Sequence, residues 1–230
     1  MAYISRSLEK IVLEVTKEYP VVLVTGPRQV GKTTMLQKLM EGTDRSYVSL
    51  DDLHERNLAK TDPELFLQLH KPPILIDEVQ YAPELFTYIK IYADKNHSKG
   101  DFWLTGSQAF KLMQGIQESL AGRVAVLSLT SLSQAEVYGN RLEPFVPDMK
   151  KLSARSSERK PANVGEIFDR IYKGSMPAVI SGQNKNTHIF YSSYVTTYIE
   201  RDVRALSDSI DSLKFLRFIT AVAARCGQLL

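Results

Sequence analysis

The most informative segment of this chain is VVLVTGPRQVGKTT, residues 21–34. Residues 21–24 are apolar and Thr25 closes the run, a pattern typical of a strand buried on both faces of a parallel sheet. The next residues, 26–33, place two glycines, a lysine and a hydroxyl at the spacing of a loop that binds phosphate and opens a helix. The segment therefore predicts a strand, an anion-binding loop and a helix.

The chemistry of this loop points to a bound nucleotide. Its glycines permit a tight backbone bend, so that successive N–H groups can point inward at one anion. The helix that begins at Lys32 adds the partial positive charge of its N-terminus. We expect Lys32 to bridge the β- and γ-phosphates and the Thr33 hydroxyl to ligate Mg²⁺. The predicted nucleotide-binding residues are Gly26, Pro27, Arg28, Gln29, Val30, Gly31, Lys32, Thr33 and Thr34.

A second apolar run, PPILIDE at residues 72–78, ends in two adjacent acids. Such a pair is costly beside a buried strand unless a cation lies near. We expect Asp77, at the carboxyl end of the strand, to support Mg²⁺, and Glu78 to orient and deprotonate an attacking water. An acidic turn without a catalytic role is the alternative, and the phosphate loop upstream makes it the weaker interpretation.

Short apolar runs alternate with amphipathic stretches over residues 1–135, which is the pattern of an α/β domain. Strands are predicted at residues 21–25, 47–50, 74–77, 102–105 and 124–129. Helices are predicted at 33–41, 63–70, 83–95, 164–173, 188–206 and 212–226. The predicted fold class is therefore α/β, a parallel-sheet P-loop NTPase core of the additional-strand type followed by a helical lid.

Two polar residues beside other strands complete the predicted site. In an additional-strand ATPase the strand at 102–105 lies between the phosphate-loop strand and the acidic strand. Ser107, in preference to Thr105, is then predicted to hydrogen-bond the γ-phosphate or the water. Arg123 has two open interpretations. It supplies positive charge to the transferring phosphoryl group, in its own subunit or a neighbour's, or it is a cation that stabilises a helix end. The predicted catalytic residues are Lys32, Glu78, Ser107 and Arg123.

These residues favour ATP hydrolysis over related reactions. The Asn-Lys-x-Asp guanine reader of GTPases is lacking, since residues 184–187 (NKNT) have no acid there and lie outside the predicted core. A nucleoside kinase has no need of a water-activating Glu78 beside Asp77. We therefore predict Mg²⁺-dependent ATP binding and hydrolysis coupled to a conformational change that acts on a partner. The alternative is a nucleotide-gated switch or DNA-binding regulatory module with negligible turnover.

The composition favours a cytoplasmic globular protein. The chain has 230 residues, 43% hydrophobic, and its single cysteine, Cys226, excludes a disulfide framework. No run approaches the roughly 18 apolar residues that cross a bilayer, and residues 1–6 do not resemble a secretory signal. The net charge of +3 neither requires nor excludes a polyanionic partner. We expect no membrane partner.

Four regions are predicted along the chain: an ATPase core at 1–138, a basic linker or insertion at 139–163, a helical lid region at 164–208 and the start of a further module at 209–230. The basic stretch at 150–160 is interpreted as a solvated loop, with binding to phosphate backbones as the alternative. The last residues, Gln228-Leu-Leu, end in two apolar side chains and suggest a fragment of a longer protein.

Six ordered motifs of this chain resemble the prokaryotic AAA-type ATPase family that carries a winged-helix segment and a nuclease-like C-terminal domain. They are GPRQVGKTT at 26–34, IDEVQ at 76–80, LTGSQ at 104–108, ESLAGR at 118–123, GSMP at 174–177 and YIERDV at 198–203. The resemblance implies an AAA-like core that uses ATP and Mg²⁺. Ser175 departs from the second glycine that such proteins often have, and serine resists positive φ.

The resemblance also implies features beyond the core. Residues 224–230, ARCGQLL, resemble the start of the winged-helix segment, so that region 209–230 reads as a truncated winged-helix-like domain. A DNA partner, contacted through the missing or truncated C-terminal region, is one expectation. Apart from the resemblance, a homo-oligomer is also expected as a possible partner arrangement, in which Arg123 acts on a neighbour's nucleotide.

Overall fold

The computed structural model describes residues 3–107, 116, 119–139, 146–157, 162–198, 211–226 and 228. Two compact units make up the chain, Met1–Ser181 and Gly182–Leu230. Of the helices described, none combines the length and the apolar character needed to cross a membrane.

A parallel sheet of five strands forms the centre of the first unit. The strands are β1 Val21–Thr25, β2 Ser46–Ser49, β3 Ile74–Asp77, β4 Phe102–Gly106 and β5 Val124–Ser128. Their order across the sheet is β2-β3-β4-β1-β5. Leu104 of β4 pairs with Leu23 of β1 on one side and with Ile76 of β3 on the other. The predicted additional strand between the phosphate-loop strand and the acidic strand is therefore confirmed, and so is the α/β fold class.

The three central strands are buried on both faces, as their unbroken apolar runs predict. Every residue of β1, β3 and β4 is buried, whereas the edge strands β2 and β5 have exposed positions. Val21 and Leu23 belong to the main core, which includes Phe66 and Phe86 from helices on that face. Because side chains alternate along a strand, Val22 and the other even-numbered residues of β1 face the opposite layer of helices.

The first unit also contains helices, and the elements described in the second unit are helices. Those of the first unit are α1 Leu8–Thr16, α2 Lys32–Met40, α3 Leu53–Thr61, α4 Pro63–Leu69, α5 Leu85–Asn96, α6 Gln134–Val137, α7 Met149–Ser157, α8 Val164–Lys173 and α9 Pro177–Ile180. A 3-10 turn covers Val79–Tyr81. Those of the second unit are α10 Thr187–Tyr198 and α11 Ser212–Ala224.

Helix α3 has no counterpart in the sequence prediction. Its N-terminus is capped by the Asp52 side chain, which accepts bonds from the N–H groups of His54 and Glu55 at 2.7 and 3.2 Å. Ala59 alone among its residues is buried. A helix with so little apolar surface has no hydrophobic stripe for periodicity to reveal.

The interpretation of residues 150–160 as a loop is wrong over α7. Asp148 accepts bonds from the N–H groups of Lys150 and Lys151 at 2.9 and 3.2 Å, which caps the helix despite its basic composition. Residues 158–161 lie outside the described part, as do residues 199–206 of the helix predicted at 188–206.

The turn at Gly174-Ser175 does not require a positive φ from serine. Among the described residues, the non-glycine positions with positive φ are Gln29, Glu78 and His97. Gly174 takes the positive φ of that turn, +66°, so serine is accommodated at the next position.

Candidate functional site

The phosphate loop joins β1 to α2 along a backbone that its glycines permit. Gly26 has φ +141° and Gly31 has φ +92°. A Cβ at Gly26 would lie 2.0 Å from the carbonyl oxygen of Leu129, so only glycine lets the loop pass this close to the end of β5. Gln29 adopts φ +62°, which is strained for a residue with a side chain. The loop therefore has the tightly curved backbone that directs successive N–H groups toward one anion.

Lys32 brings positive charge to the same place. It is the first residue of α2 and is buried. Its Nζ donates to the carbonyl oxygens of Gly26 and Pro27 at 3.0 and 2.8 Å. The ammonium group therefore lies against the loop, beside the positive end of the α2 dipole, which suits a polyphosphate ligand.

Thr33 and Asp77 meet across the space between α2 and β3. Thr33 Oγ1 donates to Asp77 Oδ1 at 2.7 Å. The buried Asp77 also accepts from the Thr105 hydroxyl and, at 3.3 Å, from the phenol of Tyr47. These three hydroxyls supply the hydrogen bonds that a buried carboxylate requires.

Glu78 follows β3 in a left-handed conformation, with φ +55°. Its N–H donates to Thr105 Oγ1 at 3.1 Å, and its carboxylate accepts from the Gln80 amide and, at 3.3 Å, from Ser107 Oγ. Thr105 thus holds both acids, since its hydroxyl donates to Asp77 and accepts from the Glu78 backbone. The strained backbone of Glu78 turns its carboxylate toward Ser107 at the end of β4.

The donors present at this point fit Mg²⁺. Hydroxyl and carboxylate oxygens are the hard ligands that this ion prefers, and Thr33 supplies one and Asp77 the other. Within the described ranges, no group of three or more His, Cys, Asp or Glu residues could hold a metal. Mg²⁺ commonly takes one or two protein carboxylates and completes its shell with phosphate oxygens and water, which matches the Thr33–Asp77 pair.

The structure does not bring Arg123 to this site. Its carbonyl accepts a bond from the N–H of Val21 at 3.3 Å, at the amino end of β1, whereas the phosphate loop leaves the carboxyl end. Its guanidinium pairs with Asp94 of α5, with Nη2 3.0 Å from Oδ2. This pairing lowers the pKa of Asp94 and raises that of Arg123. Action on the phosphates of its own chain is therefore contradicted by its position.

The remaining predicted residues differ in exposure. Pro27, Gln29 and Thr34 are exposed, Arg28 is half-buried and Val30 is buried. A contact of any of these side chains with nucleotide stays a prediction. Ser107 lies at the site with its hydroxyl on Glu78, and its predicted bond to the γ-phosphate or the water also stays a prediction.

Sequence reasoning missed or underrated three residues of this region. Thr105 ranked below Ser107 in the sequence prediction, although the observed pairing of Leu104 with Ile76 sets Thr105 beside Asp77. Tyr47 was missed because a tyrosine in an edge strand does not by itself indicate a functional role. Burial and the nearby Asp77 raise the pKa of its phenol. Arg6, which contacts the phosphate loop from far away in the sequence, is the third.

The family of the chain follows from its first half. Residues 18–138 match the family model described as AAA domain. The chain belongs to the AAA-domain family. Family and fold are those of nucleotide-binding ATPases, which confirms the expected AAA-type membership, while the winged-helix and nuclease-like parts stay predictions. Residues 165–230 match a second model, a domain of unknown function (DUF8612).

Two curated proteins and one solved structure show how similar this AAA-domain chain is to individual proteins. The uncharacterized proteins Rv2008c of Mycobacterium tuberculosis and Mb2031c of Mycobacterium bovis are each 30% identical over 213 residues, which is 91% of this chain and 42% of theirs. The chain thus spans about two fifths of the length of these curated relatives. The Walker-type ATPase PABY2304 of Pyrococcus abyssi is similar with a TM-score of 0.54 at 15% identity, covering 89% of this chain and 75% of that one. At this identity the likeness shows the fold alone.

Proposed function

We propose that this AAA-domain chain binds ATP together with Mg²⁺ and hydrolyses it to ADP and phosphate. The observation that carries the proposal is the 2.7 Å contact between the Thr33 hydroxyl and the Asp77 carboxylate, at the end of the phosphate loop and next to Glu78 in the chain. A hydroxyl and a carboxylate brought together beside an anion-binding loop are what a magnesium–triphosphate needs.

Each residue has a distinct role in the proposed reaction. Lys32 exchanges its bonds to the loop carbonyls for oxygens of the β- and γ-phosphates. Thr33 and Asp77 would hold Mg²⁺, which, when bound, neutralises charge on those phosphates. Glu78 takes a proton from the attacking water, whose oxygen bonds to the γ-phosphorus as the bond to the bridging oxygen of ADP breaks.

The contacts of Glu78 support its role as the base. Among the described residues, the side-chain partners of its carboxylate are two hydrogen-bond donors to Oε2, the Gln80 amide and the Ser107 hydroxyl. Such donors orient a carboxylate, and its other oxygen, Oε1, can accept a bond from water. No second acid or histidine is needed to deprotonate that water.

Phosphate release from MgATP by the wild type and Glu78→Gln tests the proposal, with nucleotide affinity measured on the same samples. Glu78→Gln should bind MgATP within about threefold of the wild type but release phosphate at least about 100-fold more slowly, the usual scale for loss of a general base. Glu84→Gln, an exposed acid in the next turn, is the matched control and should hydrolyse normally.

The outcomes separate the proposal from its rival. Undiminished hydrolysis by Glu78→Gln would contradict the assignment of the base. A wild type that binds MgATP tightly without releasing phosphate would instead favour a nucleotide-gated switch. The partner on which the conformational change acts, including DNA, and self-association stay predictions from the sequence.

A further inference from the structure

A buried arginine that the proposed reaction does not use lies against the phosphate loop. Arg6 precedes α1, and its side chain is only 4% exposed. Its guanidinium donates to the loop, to the segment after β5 and to a buried carboxylate. A long cationic side chain is rarely buried so fully unless it is paired, and here each of its three nitrogens donates to at least one acceptor.

The contact with the loop fixes the direction of one peptide unit. Arg6 Nη1 donates to the carbonyl oxygen of Val30 at 2.7 Å. That carbonyl shares its peptide unit with the N–H of Gly31, and the unit is trans, since the one cis bond among the described residues is Pro72-Pro73. In a trans unit the C=O and N–H point in opposite directions. Arg6 therefore holds the Gly31 N–H pointing away from itself.

The other side of the guanidinium is anchored to the sheet. Nη2 donates to the carbonyl oxygen of Thr130 at 2.7 Å and to that of Ser131 at 3.4 Å. This segment directly follows β5 and is tied to β1 by the bond from Leu129 N to Thr25 O, 2.8 Å long. Arg6 thus spans from the carboxyl end of the sheet, where the loop begins, to the middle of the loop.

Glu136 of α6 fixes Arg6 in this position. Its carboxylate is 8% exposed and lies 3.2 Å from Arg6 Nε. It also accepts bonds from the N–H groups of Ser7 and Ser133, both at 2.7 Å. Because these bonds hold the carboxylate in place, the buried ion pair has a defined geometry and offsets part of its desolvation cost.

We propose that Arg6 is a positioning residue for nucleotide binding, which holds the Val30–Gly31 peptide so that the Gly31 N–H faces the bound phosphates. The proposal rests on the nucleotide binding proposed above. Arg6 acts through the loop backbone and forms no bond to the nucleotide. Its loss should therefore weaken the binding of phosphate-bearing nucleotides by folded molecules, beyond any effect on folding.

A second arginine provides a matched control. Arg45 donates to the carbonyl oxygens of Ile74, Gly100 and Asp101, at the amino end of the sheet and away from the phosphate loop. Arg45→Gln removes a guanidinium bound to backbone carbonyls, as Arg6→Gln does. A purely structural role for Arg6 predicts that the two variants behave alike.

The experiment measures the ADP affinity of the purified chain by calorimetry at saturating Mg²⁺, with the thermal midpoint of the nucleotide-free protein recorded alongside. Arg6→Gln should bind ADP at least about tenfold more weakly, and Arg45→Gln within about twofold of the wild type, even where both lower the midpoint. Arg6→Lys should lose about threefold to tenfold, because one ammonium group cannot contact both Val30 and Thr130 as the guanidinium fork does. Hydrogen exchange should quicken in the loop peptide of Arg6→Lys but not in β4.

Each outcome decides the matter. Wild-type affinity in a folded Arg6→Gln, or equal losses in Arg6→Gln and Arg45→Gln, would overturn the proposal. If Arg6→Gln does not fold, then Arg6→Lys decides, and its unchanged affinity and loop exchange would overturn the proposal too. A wild type that fails to bind ADP or ATP would instead refute the proposed function itself.

Discussion

The Thr33 hydroxyl donates to the Asp77 carboxylate at 2.7 Å, although the two residues are 44 positions apart and belong to a helix and a strand. Strand β4 lies between β1 and β3, and all three strands are parallel, so their carboxyl ends share one edge of the sheet. The loop after β1 leads into α2 at this edge, which brings the start of α2 beside the carboxyl end of β3. A bond of this kind prepares two oxygen ligands for one divalent cation.

Replacing Thr33 tests this pairing through its dependence on Mg²⁺. Thr33→Val keeps the branched shape but removes the oxygen, so we expect the Mg²⁺ concentration for half-maximal phosphate release to rise at least about tenfold. Thr33→Ser keeps the hydroxyl and should remain within about threefold of the wild type. A Thr33→Val protein with an unchanged Mg²⁺ requirement would show that this hydroxyl is not a ligand.

Thr105 should govern turnover more than affinity. Its buried hydroxyl holds Asp77 and the backbone of Glu78 together, so Thr105→Val should lower kcat about tenfold or more while ATP affinity stays within about threefold. It should also lower the free energy of unfolding by about 1–3 kcal/mol, since buried partners lose a hydrogen bond.

Thr16→Val is the control for Thr105. The Thr16 hydroxyl accepts from Trp103 Nε1 at 2.9 Å, near the amino end of the same strand. The variant should lose stability without losing turnover. Equal turnover in Thr105→Val and Thr16→Val would show that Thr105 does not position Asp77 and Glu78 for the reaction.

Gly26 should be the costlier of two glycines to replace. Both Gly26 and Gly42 have positive φ, but a Cβ at Gly42 would meet nothing within 4 Å, whereas one at Gly26 would meet the Leu129 carbonyl at 2.0 Å. Gly42→Ala should cost about 1 kcal/mol from its backbone conformation alone. Gly26→Ala should cost about 3 kcal/mol or more, because the loop must also move. Denaturant unfolding measures both, and similar costs would contradict the close packing of the loop on β5.

Glu136 should make the free energy of unfolding depend on pH in the acid range. Burial alone would raise its pKa, but bonds from the backbone N–H groups of Ser133 and Ser7, together with the Arg6 guanidinium, lower it overall. A carboxylate with a lowered pKa in the folded state stabilises the protein above its ordinary pKa of about 4.3. That contribution is lost as the pH falls through the lower, folded-state value.

Urea unfolding of Glu136→Gln across a pH series measures this effect. The variant should be less stable than the wild type at pH 7, and the difference should shrink as the pH falls from about 5 to about 3. Glu14→Gln, which alters a carboxylate that is 57% exposed, should differ little from the wild type throughout. A difference for Glu136→Gln that stays constant with pH would contradict the lowered pKa.

Local patterns were sufficient to predict the sheet and its acid pair. Strands β1 and β3 were predicted with their observed bounds because buried parallel strands are continuous apolar runs. Thr33 and Asp77 were assigned to one ion because a phosphate loop and an acidic strand tip share one edge of such a sheet. Of the interpretations open for Arg123, action on the phosphates of its own chain is wrong, because a residue that precedes a parallel strand lies at the opposite edge of the sheet.

Arg6 illustrates what a single sequence withholds. Its partners Val30 and Thr130 are 24 and 124 positions away, and both bonds are to backbone carbonyls, which leave no mark on side-chain patterns. Glu136, its charged partner, is 130 positions away. Such a contact emerges only when the tertiary fold brings the N-terminal segment against the loop.

The most direct test of whether the phosphate loop and Asp77 bind one magnesium ion is a measurement of ATP affinity. Calorimetry gives this affinity in Mg²⁺ and in EDTA, for the wild type and for Asp77→Asn. We predict that Mg²⁺ strengthens binding to the wild type at least about tenfold and that Asp77→Asn, which removes the charge but keeps an oxygen, loses most of that gain. A wild-type affinity for ATP that is the same with and without Mg²⁺, or a full gain retained in Asp77→Asn, would contradict a magnesium site shared by the phosphate loop and Asp77.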